Sequence, residues 1–128
     1  MPESEKITIN LGAVDLGKID VLVQEGLYSN RTDFIRSAIR SQVEKHHVEV
    51  AQSVERHSFV IGVLWYHRKN LERLRAEGRR LRINVIGMLG FAKDVTAELA
   101  SEVIESVQVR GVFRASDAVK AALANRME

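Results

Sequence analysis

Residues 5–11 read Glu-Lys-Ile-Thr-Ile-Asn-Leu, and residues 26–38 read Gly-Leu-Tyr-Ser-Asn-Arg-Thr-Asp-Phe-Ile-Arg-Ser-Ala. In the first stretch Ile7, Ile9 and Leu11 alternate with polar residues, which is typical of a strand with one buried face. In the second stretch a polar turn precedes apolar residues at helical spacing, which predicts the start of a helix. These two stretches decide the fold predicted for the N-terminal part of the chain.

An amphipathic helix is predicted between the two stretches, from about Val14 to Glu25. Its apolar side chains recur at helical spacing and form one stripe: Leu16, Ile19, Leu22 and Val23. Gly26 follows at the position where a glycine commonly ends a helix. The order strand, helix, turn and second helix therefore fills the first part of the chain.

The second helix is predicted to begin after Ser29, which is expected to cap it, and Asp33 adds a negative charge to its first turn. No Gly or Pro occurs between Gln42 and His57. The pattern leaves two possibilities open: the helix continues to about residue 56, or it breaks around His46 and His47 into a linker.

The strand at residues 5–11 needs a partner, because one strand cannot form a sheet and this short segment buries too little to be stable alone. The same strand of a second chain is the simplest partner, which predicts an antiparallel ribbon about a two-fold axis. One face of the ribbon then carries Lys6, Thr8 and Asn10. Their cationic, hydroxyl and amide groups are types that read base edges in the major groove.

Together, residues 5–45 resemble the ribbon-helix-helix transcriptional regulators, the CopG, Arc and MetJ relatives. The turn and second-helix start at residues 26–38 match that family nearly position by position. The resemblance implies that the strand residues Lys6, Thr8 and Asn10 read DNA bases. It implies that the second helix points its N-terminus at a DNA phosphate.

In this resemblance Ser29, Asn30 and Arg31 bind the phosphate through backbone N–H groups at the positive end of the helix. Arg36 is a secondary DNA contact, ranked below Arg31 because it can instead pair with Asp33. Residues 1–57 carry seven basic and nine acidic side chains. This acidic balance predicts modest DNA affinity per dimer, or help from further dimers or from a basic segment elsewhere.

The C-terminal part reads as alternating strands and helices, β-α-β-α-β-α, which predicts a small α/β domain. The predicted elements are strands at residues 59–66, 81–91 and 107–113, and helices at residues 67–77, 94–106 and from Ser116 onward. Gly78 is predicted to end a helix, and Gly87 and Gly90 are predicted to mark irregularities in a strand. The fold class predicted for the whole chain is α+β. Its predicted parts are a DNA-binding domain at 1–47, a linker or helix extension at 48–57 and an α/β oligomerisation or regulatory domain at 58–128.

A basic stretch runs from Arg68 to Arg82 and holds seven basic against two acidic residues. Arg68, Lys69 and Arg73 are its candidates for secondary DNA contacts. The alternative, which we favour, is that the stretch is a solvated helix face and a turn.

The C-terminal part also has a looser similarity to the ACT-like half of the nickel-responsive repressors, with one strand hairpin missing. That similarity implies a homotetramer. The chain has no Cys, and the strand at residues 81–91 has no His. We therefore expect no metal site, no cofactor and no dependence of DNA binding on nickel.

Other classes of function are disfavoured by the composition. The four His, at positions 46, 47, 57 and 67, lack catalytic partners at recognisable spacing, and no glycine-rich phosphate loop joins a strand to a helix, so we expect no enzyme. No apolar run is long enough to span a bilayer, and the N-terminus does not resemble a signal peptide. We expect a cytoplasmic protein that has no contact with membranes.

The sequence thus predicts a DNA-binding transcriptional regulator, a repressor, that binds double-stranded DNA as a homodimer and assembles into a homotetramer through its C-terminal part. One alternative is an antitoxin with a toxin partner. That alternative is disfavoured because antitoxin tails are usually short and poor in core residues. A second alternative is an accessory protein of plasmid partition or conjugation.

Overall fold

The computed structural model describes residues 4–128, which form two compact units. The N-terminal unit comprises residues 6–52, and the C-terminal unit comprises residues 53–128 together with Ser4 and Glu5. The described residues include both helices and strands, so a mixed α and β composition is confirmed.

The N-terminal unit contains helix α1, Ala13–Gln24, and helix α2, Arg31–Lys45. A third helix, α3, spans His47–His57. His46 alone interrupts the helical run, with φ −107° and ψ 22°. The segment after α2 is therefore helical, with a one-residue break at the first of the two adjacent histidines.

Gly26 ends α1 as the sequence predicts. Its φ of +82° lies in the left-handed region that favours glycine. The Gly26 N–H donates to the carbonyl of Val23 and the Leu27 N–H donates to the carbonyl of Leu22, both at 3.0 Å. These two bonds form a Schellman motif, which satisfies carbonyls that the end of the helix leaves free.

The strand predicted at residues 5–11 is absent from the single chain, where residues 4–12 form neither helix nor strand. A strand is defined by hydrogen bonds to a neighbouring strand, and this segment has no such neighbour among residues 4–128. Among residues 6–52, all of them described, Ile19 is the one fully buried side chain. The N-terminal unit therefore lacks a core of its own.

The C-terminal unit follows the predicted alternation of strands and helices. Its elements are β1 Val60–Tyr66, α4 Arg68–Ala76, β2 Leu81–Phe91, α5 Ala97–Val103, β3 Ile104–Arg114, α6 Asp117–Leu123 and a 3-10 helix at Ala124–Arg126. The sheet order is β1-β2-β3, and both strand pairs are parallel. Among the described residues the sheet thus contains no hairpin.

The fifth helix differs from its prediction at both ends. Thr96, not Asp94, caps α5, and its Oγ1 accepts the Leu99 N–H at 3.2 Å. Asp94 instead accepts the backbone N–H of Arg68 at 3.2 Å, at the start of α4. The helix also ends earlier, because Ile104 pairs with Leu81 and begins β3.

The core lies between the sheet and helices α4, α5 and α6. Its fully buried side chains include Leu71, Ile83, Val85, Leu89, Ile104, Val107, Val119 and Leu123. Alternate strand residues point to the other face of the sheet, where Ile61 and Val63 are 66% and 44% exposed. We call this second surface, on the side away from α4–α6, the open face.

A row of three glycines crosses the sheet, one on each strand: Gly62, Gly87 and Gly111. A Cβ on Gly87 would lie 2.1 Å from the carbonyl oxygen of Gly62, and one on Gly111 would lie 2.0 Å from that of Gly87. The φ of Gly87 is +136°, which side-chain-bearing residues rarely adopt. The three glycines therefore let the backbones of neighbouring strands approach more closely than any side chain at these positions would allow.

Candidate nucleic-acid interface

The three predicted base-reading residues, Lys6, Thr8 and Asn10, are all exposed in the single chain. The apolar residues between them are exposed as well: Ile7 is 76% exposed and Ile9 is 57% exposed. Both the polar and the apolar side chains of this segment are thus available to bind other molecules.

The apolar side chains of the N-terminal unit border a groove of about 410 Å³. Its apolar lining consists of Ile9, Leu11, Ile19, Leu22, Phe34, Ile35, Ala38 and Ile39. Asp15 and Lys18 add charge to the lining. An apolar groove of this extent, in a unit with one buried residue, exposes the surface that a monomer would normally bury.

The N-terminus of α2 is built by a reciprocal pair of hydrogen bonds. The Oδ1 of Asn30 accepts the Asp33 N–H at 2.8 Å, and a carboxylate oxygen of Asp33 accepts the Ser29 N–H at 2.9 Å. The cap is therefore Asn30, and the prediction that Ser29 caps the helix is wrong. The Tyr28 and Phe34 rings meet edge to face at 5.0 Å across this turn, which fixes the path of the chain into the helix.

Arg31, a predicted phosphate contact, makes a bidentate ion pair with Asp20 of α1. Its Nε and Nη2 donate to the two carboxylate oxygens, each at 2.8 Å. Hydrogen bonding from Arg31 lowers the pKa of Asp20, and the same bonds raise the pKa of Arg31. About half of each side chain is exposed, at 54% and 51%, so the pair remains accessible to a ligand.

A polar cavity of about 340 Å³ lies at the N-terminal end of α2. Its lining residues are Ser29, Asn30, Thr32, Asp33, Arg36 and Arg40. The structure thus brings together two of the three predicted phosphate contacts and the secondary contact Arg36. Arg31 is not part of the lining.

Sequence reasoning missed Thr32, Arg40 and the role of Asp20. The spacing of Arg36 and Arg40 could have identified Arg40, because residues four apart share one face of a helix. The described residues contain no ion pair between Arg36 and Asp33, and one carboxylate oxygen of Asp33 accepts the Ser29 N–H.

A model of the Ribbon-Helix-Helix transcriptional regulator family matches residues 2–120 of the chain. The chain belongs to this family. The resemblance carried by residues 5–45 is therefore confirmed, and the match extends through most of the C-terminal unit. Searches of curated proteins and of solved structures find no match. Regulators of this family bind double-stranded DNA, so the chain is a DNA-binding transcriptional regulator.

The basic stretch at residues 68–82 of this ribbon-helix-helix chain is largely neutralised. Four of its arginines have acidic partners: Arg68 with Glu72, Arg75 with Glu102, Arg79 with Glu77 and Arg82 with Glu105. Within the described residues Lys69, Arg73 and Arg80 have no such partner, and the Nη2 of Arg80 donates instead to the backbone carbonyl of Ile104. These pairings favour a solvated helix face over a second DNA surface, although Lys69 and Arg73 retain charge for a secondary contact.

The histidines of this ribbon-helix-helix chain do not converge on a metal site. Within residues 4–128, no group of three or more His, Cys, Asp or Glu side chains is arranged to hold a metal ion. His46 Nδ1 lies 3.7 Å from Glu49, and His47 Nδ1 lies 3.1 Å from the carbonyl of Glu44. Independence of DNA binding from nickel stays a prediction. In the same part of the chain, no helix is both long and apolar enough to cross a membrane.

Proposed function

We propose that the chain is a repressor that reads DNA sequence in the major groove as a homodimer. The observation that carries this proposal is the exposed apolar side of the N-terminal segment, Ile7, Ile9 and Leu11, beside the apolar groove. The segment has a strand pattern but no strand neighbour within the described part of its own chain. The same segment of a second copy supplies the missing hydrogen bonds and covers the groove.

In this dimer Lys6, Thr8 and Asn10 of both chains form the outer face of a two-stranded ribbon. The ribbon fits the width of the major groove, where each base pair presents a distinct pattern of donors and acceptors. Lys6 donates to guanine acceptors, Asn10 suits adenine, and Thr8 either donates or accepts. Sequence preference then comes from six side chains related by a two-fold axis.

The polar cavity at the N-terminus of α2 is the proposed phosphate site. Asn30 brings a backbone N–H group to the positive end of the helix, Ser29 lies beside it with its own N–H bonded to Asp33, and Arg36 and Arg40 supply positive charge along one face. Arg31 contributes either by contacting phosphate directly or by neutralising Asp20 beside the site. These contacts fix the register of the ribbon on DNA without reading sequence.

The C-terminal unit joins two such dimers into a tetramer. Parallel sheets are almost always covered on both faces, whereas the open face exposes Ile61 and Val63. Packing of the open faces of two C-terminal units covers these side chains. The extensive folded core of this unit also favours a regulator over an antitoxin, whose C-terminal region would instead wrap a toxin. An accessory protein of plasmid partition or conjugation would use the same DNA-binding surface.

The test is selection of DNA by the full chain from a randomised duplex library, together with sequencing of DNA that co-purifies with it. A dimer with a two-fold axis selects a site whose half-sites are inverted repeats. A bound pool that stays random in sequence would contradict sequence-specific reading. A selected site without two-fold symmetry would contradict the ribbon dimer.

A further inference from the structure

A second cavity, of about 500 Å³, lies in the C-terminal unit at the carboxyl ends of β2 and β3. Phe91 and Phe113 line it, and so do three basic side chains, Lys93, Arg114 and Lys120. Cavities that hold small ligands typically range from about 300 to 1,000 Å³.

The three basic side chains of the cavity lack acidic partners among the described residues, and none of the described residues that line it is acidic. The Nη2 of Arg114 donates to the backbone carbonyl of Ser4 at 3.1 Å. The Nε of Arg114 is buried and has no hydrogen-bond partner in the described part of the chain. The positive charge that Lys93 and Lys120 bring to this cavity is therefore not neutralised by acidic residues of the described part of the chain.

The apolar part of the cavity is aromatic. Phe91 is 3% exposed, and its ring meets that of Phe113 at 6.1 Å in an edge-to-face arrangement. The Nζ of Lys120 lies 5.9 Å from the centre of the Phe113 ring. A ligand therefore meets an apolar, aromatic wall and a set of cations on the same side of the molecule.

We propose that this cavity binds a small organic anion: one carboxylate or phosphate group attached to an apolar body. The anionic group pairs with Lys93 and Lys120, and the apolar body contacts Phe91 and Phe113. Charge-assisted hydrogen bonds of this kind are stronger than neutral ones. The proposal concerns the C-terminal unit alone and does not depend on how the N-terminal unit reads DNA.

The experiment is calorimetric titration of the full chain with four probes: phenylacetate, phenyl phosphate, inorganic phosphate and the neutral phenylacetamide. At least one aromatic anion binds once per chain, and it binds more tightly than both inorganic phosphate and the neutral amide. The double variant Lys93→Gln/Lys120→Gln weakens this binding by about tenfold or more, because it removes two charge-assisted partners. Lys45→Gln, at the end of α2, is the matched control and leaves binding unchanged.

Backbone amide chemical shifts of the unmodified chain provide a measurement that needs no variant. On titration with the aromatic anion, shifts change at Phe91, Phe113 and Ala115. The proposal is overturned if no probe binds, if the neutral amide or inorganic phosphate binds as tightly as the aromatic anions, or if the shifts change elsewhere. Loss of duplex DNA binding in the double variant, without binding of any probe, would also overturn it and would assign both lysines to DNA.

Discussion

Arg31 of α2 holds Asp20 of α1 through two parallel hydrogen bonds of 2.8 Å. The pair joins the two helices of the N-terminal unit beside the proposed phosphate site. It also neutralises Arg31, which the family resemblance implies is a contact to DNA phosphate. Because the folded-state pKa of Asp20 is lowered, the stability this pair contributes is present above the unfolded pKa of the carboxyl group. It is lost as the pH falls through the lowered value, so it is fully present at neutral pH.

Arg31→Ala is expected to weaken binding to all DNA sequences alike, with a salt dependence shallower by about one unit, because a phosphate contact is lost. The variant also leaves Asp20 unpaired, and its charge repels DNA. The double variant Asp20→Ala/Arg31→Ala separates the two effects. Titration of labelled duplex at several salt concentrations measures both variants.

A direct phosphate contact predicts that the double variant keeps the shallow salt dependence of Arg31→Ala. If the double variant instead recovers the salt dependence of the unmodified chain, Arg31 serves only to neutralise Asp20. A loss confined to one base position would make Arg31 a base-reading residue, contrary to the proposal.

Replacement of Thr8 and Asn10 by Ala is expected to lower specific DNA binding towards the non-specific level. Each well-formed base contact contributes roughly 1–3 kcal/mol of discrimination. Both residues are exposed, so circular dichroism should show an unchanged fold. Asn125→Ala, at an exposed position of the C-terminal unit, is the control and keeps specificity. Unchanged site selection by the double variant would show that the ribbon does not read bases.

Substitutions at Asn30 separate its capping role from its place beside phosphate. Asn30→Ala removes the acceptor for the Asp33 N–H and is expected to cost about 1 kcal/mol in urea unfolding. Asn30→Asp caps equally well and keeps stability, but it is expected to weaken DNA binding because a negative charge then faces phosphate. Ser29→Ala is the matched control, since the hydrogen bond of Ser29 uses its backbone. DNA affinity unchanged by Asn30→Asp would argue against a phosphate site at this turn.

The elements best predicted from sequence are those with local signals. Gly26 and Gly78 end α1 and α4 through backbone hydrogen bonds to the preceding turn, and strand β2 has the predicted bounds, Leu81–Phe91. Ser116 caps α6 as predicted, and its Oγ accepts the Val119 N–H at 3.2 Å. Each of these features depends on a few neighbouring residues, which the sequence displays directly.

Features that depend on distant residues were missed. Asp94 looked like the cap of the helix that follows it. Its carboxylate instead accepts the Arg68 N–H at the start of α4, whose N-cap is His67, because parallel strands bring the two loops to the same edge of the sheet. Asp20 and Arg31 are eleven residues apart, and no periodicity connects them. In the candidate site, the turn was correctly located, whereas the capping residue and the partner of Arg31 were not.

Gly87→Ala is expected to destabilise the C-terminal unit strongly, by at least about 1–3 kcal/mol, since the new Cβ meets a backbone carbonyl at an unfavourable φ. Urea unfolding followed by the fluorescence of Trp65 measures this change. The control is Gly17→Ala in α1, where the added Cβ meets nothing within 4 Å beyond its neighbours and the backbone of its own helix in the described part of the chain. That substitution is expected to stabilise by about 0.5–1 kcal/mol. Equal stability of Gly87→Ala and the unmodified chain would show that the glycine row can relax.

Charges on the open face test the proposed tetramer. Ile61→Lys/Val63→Lys is expected to convert a tetramer into a dimer, because the interface would bury two unpaired ammonium groups from each chain. Analytical ultracentrifugation of the full chain measures the assembly state. Val60→Lys is the control. Val60 lies on the same strand and is 53% exposed, but its side chain points to the opposite face of the sheet from those of Ile61 and Val63.

Loss of the tetramer should also remove the preference for paired DNA sites. Linking two DNA-binding dimers raises apparent affinity by about 10²–10⁴ when both sites are within reach. The double variant is therefore expected to bind a single site as the unmodified chain does and to lose this gain on paired sites. If the unmodified chain sediments as a dimer at micromolar concentration, the open face does not join two dimers. The exposed Ile61 and Val63 would then require a different partner.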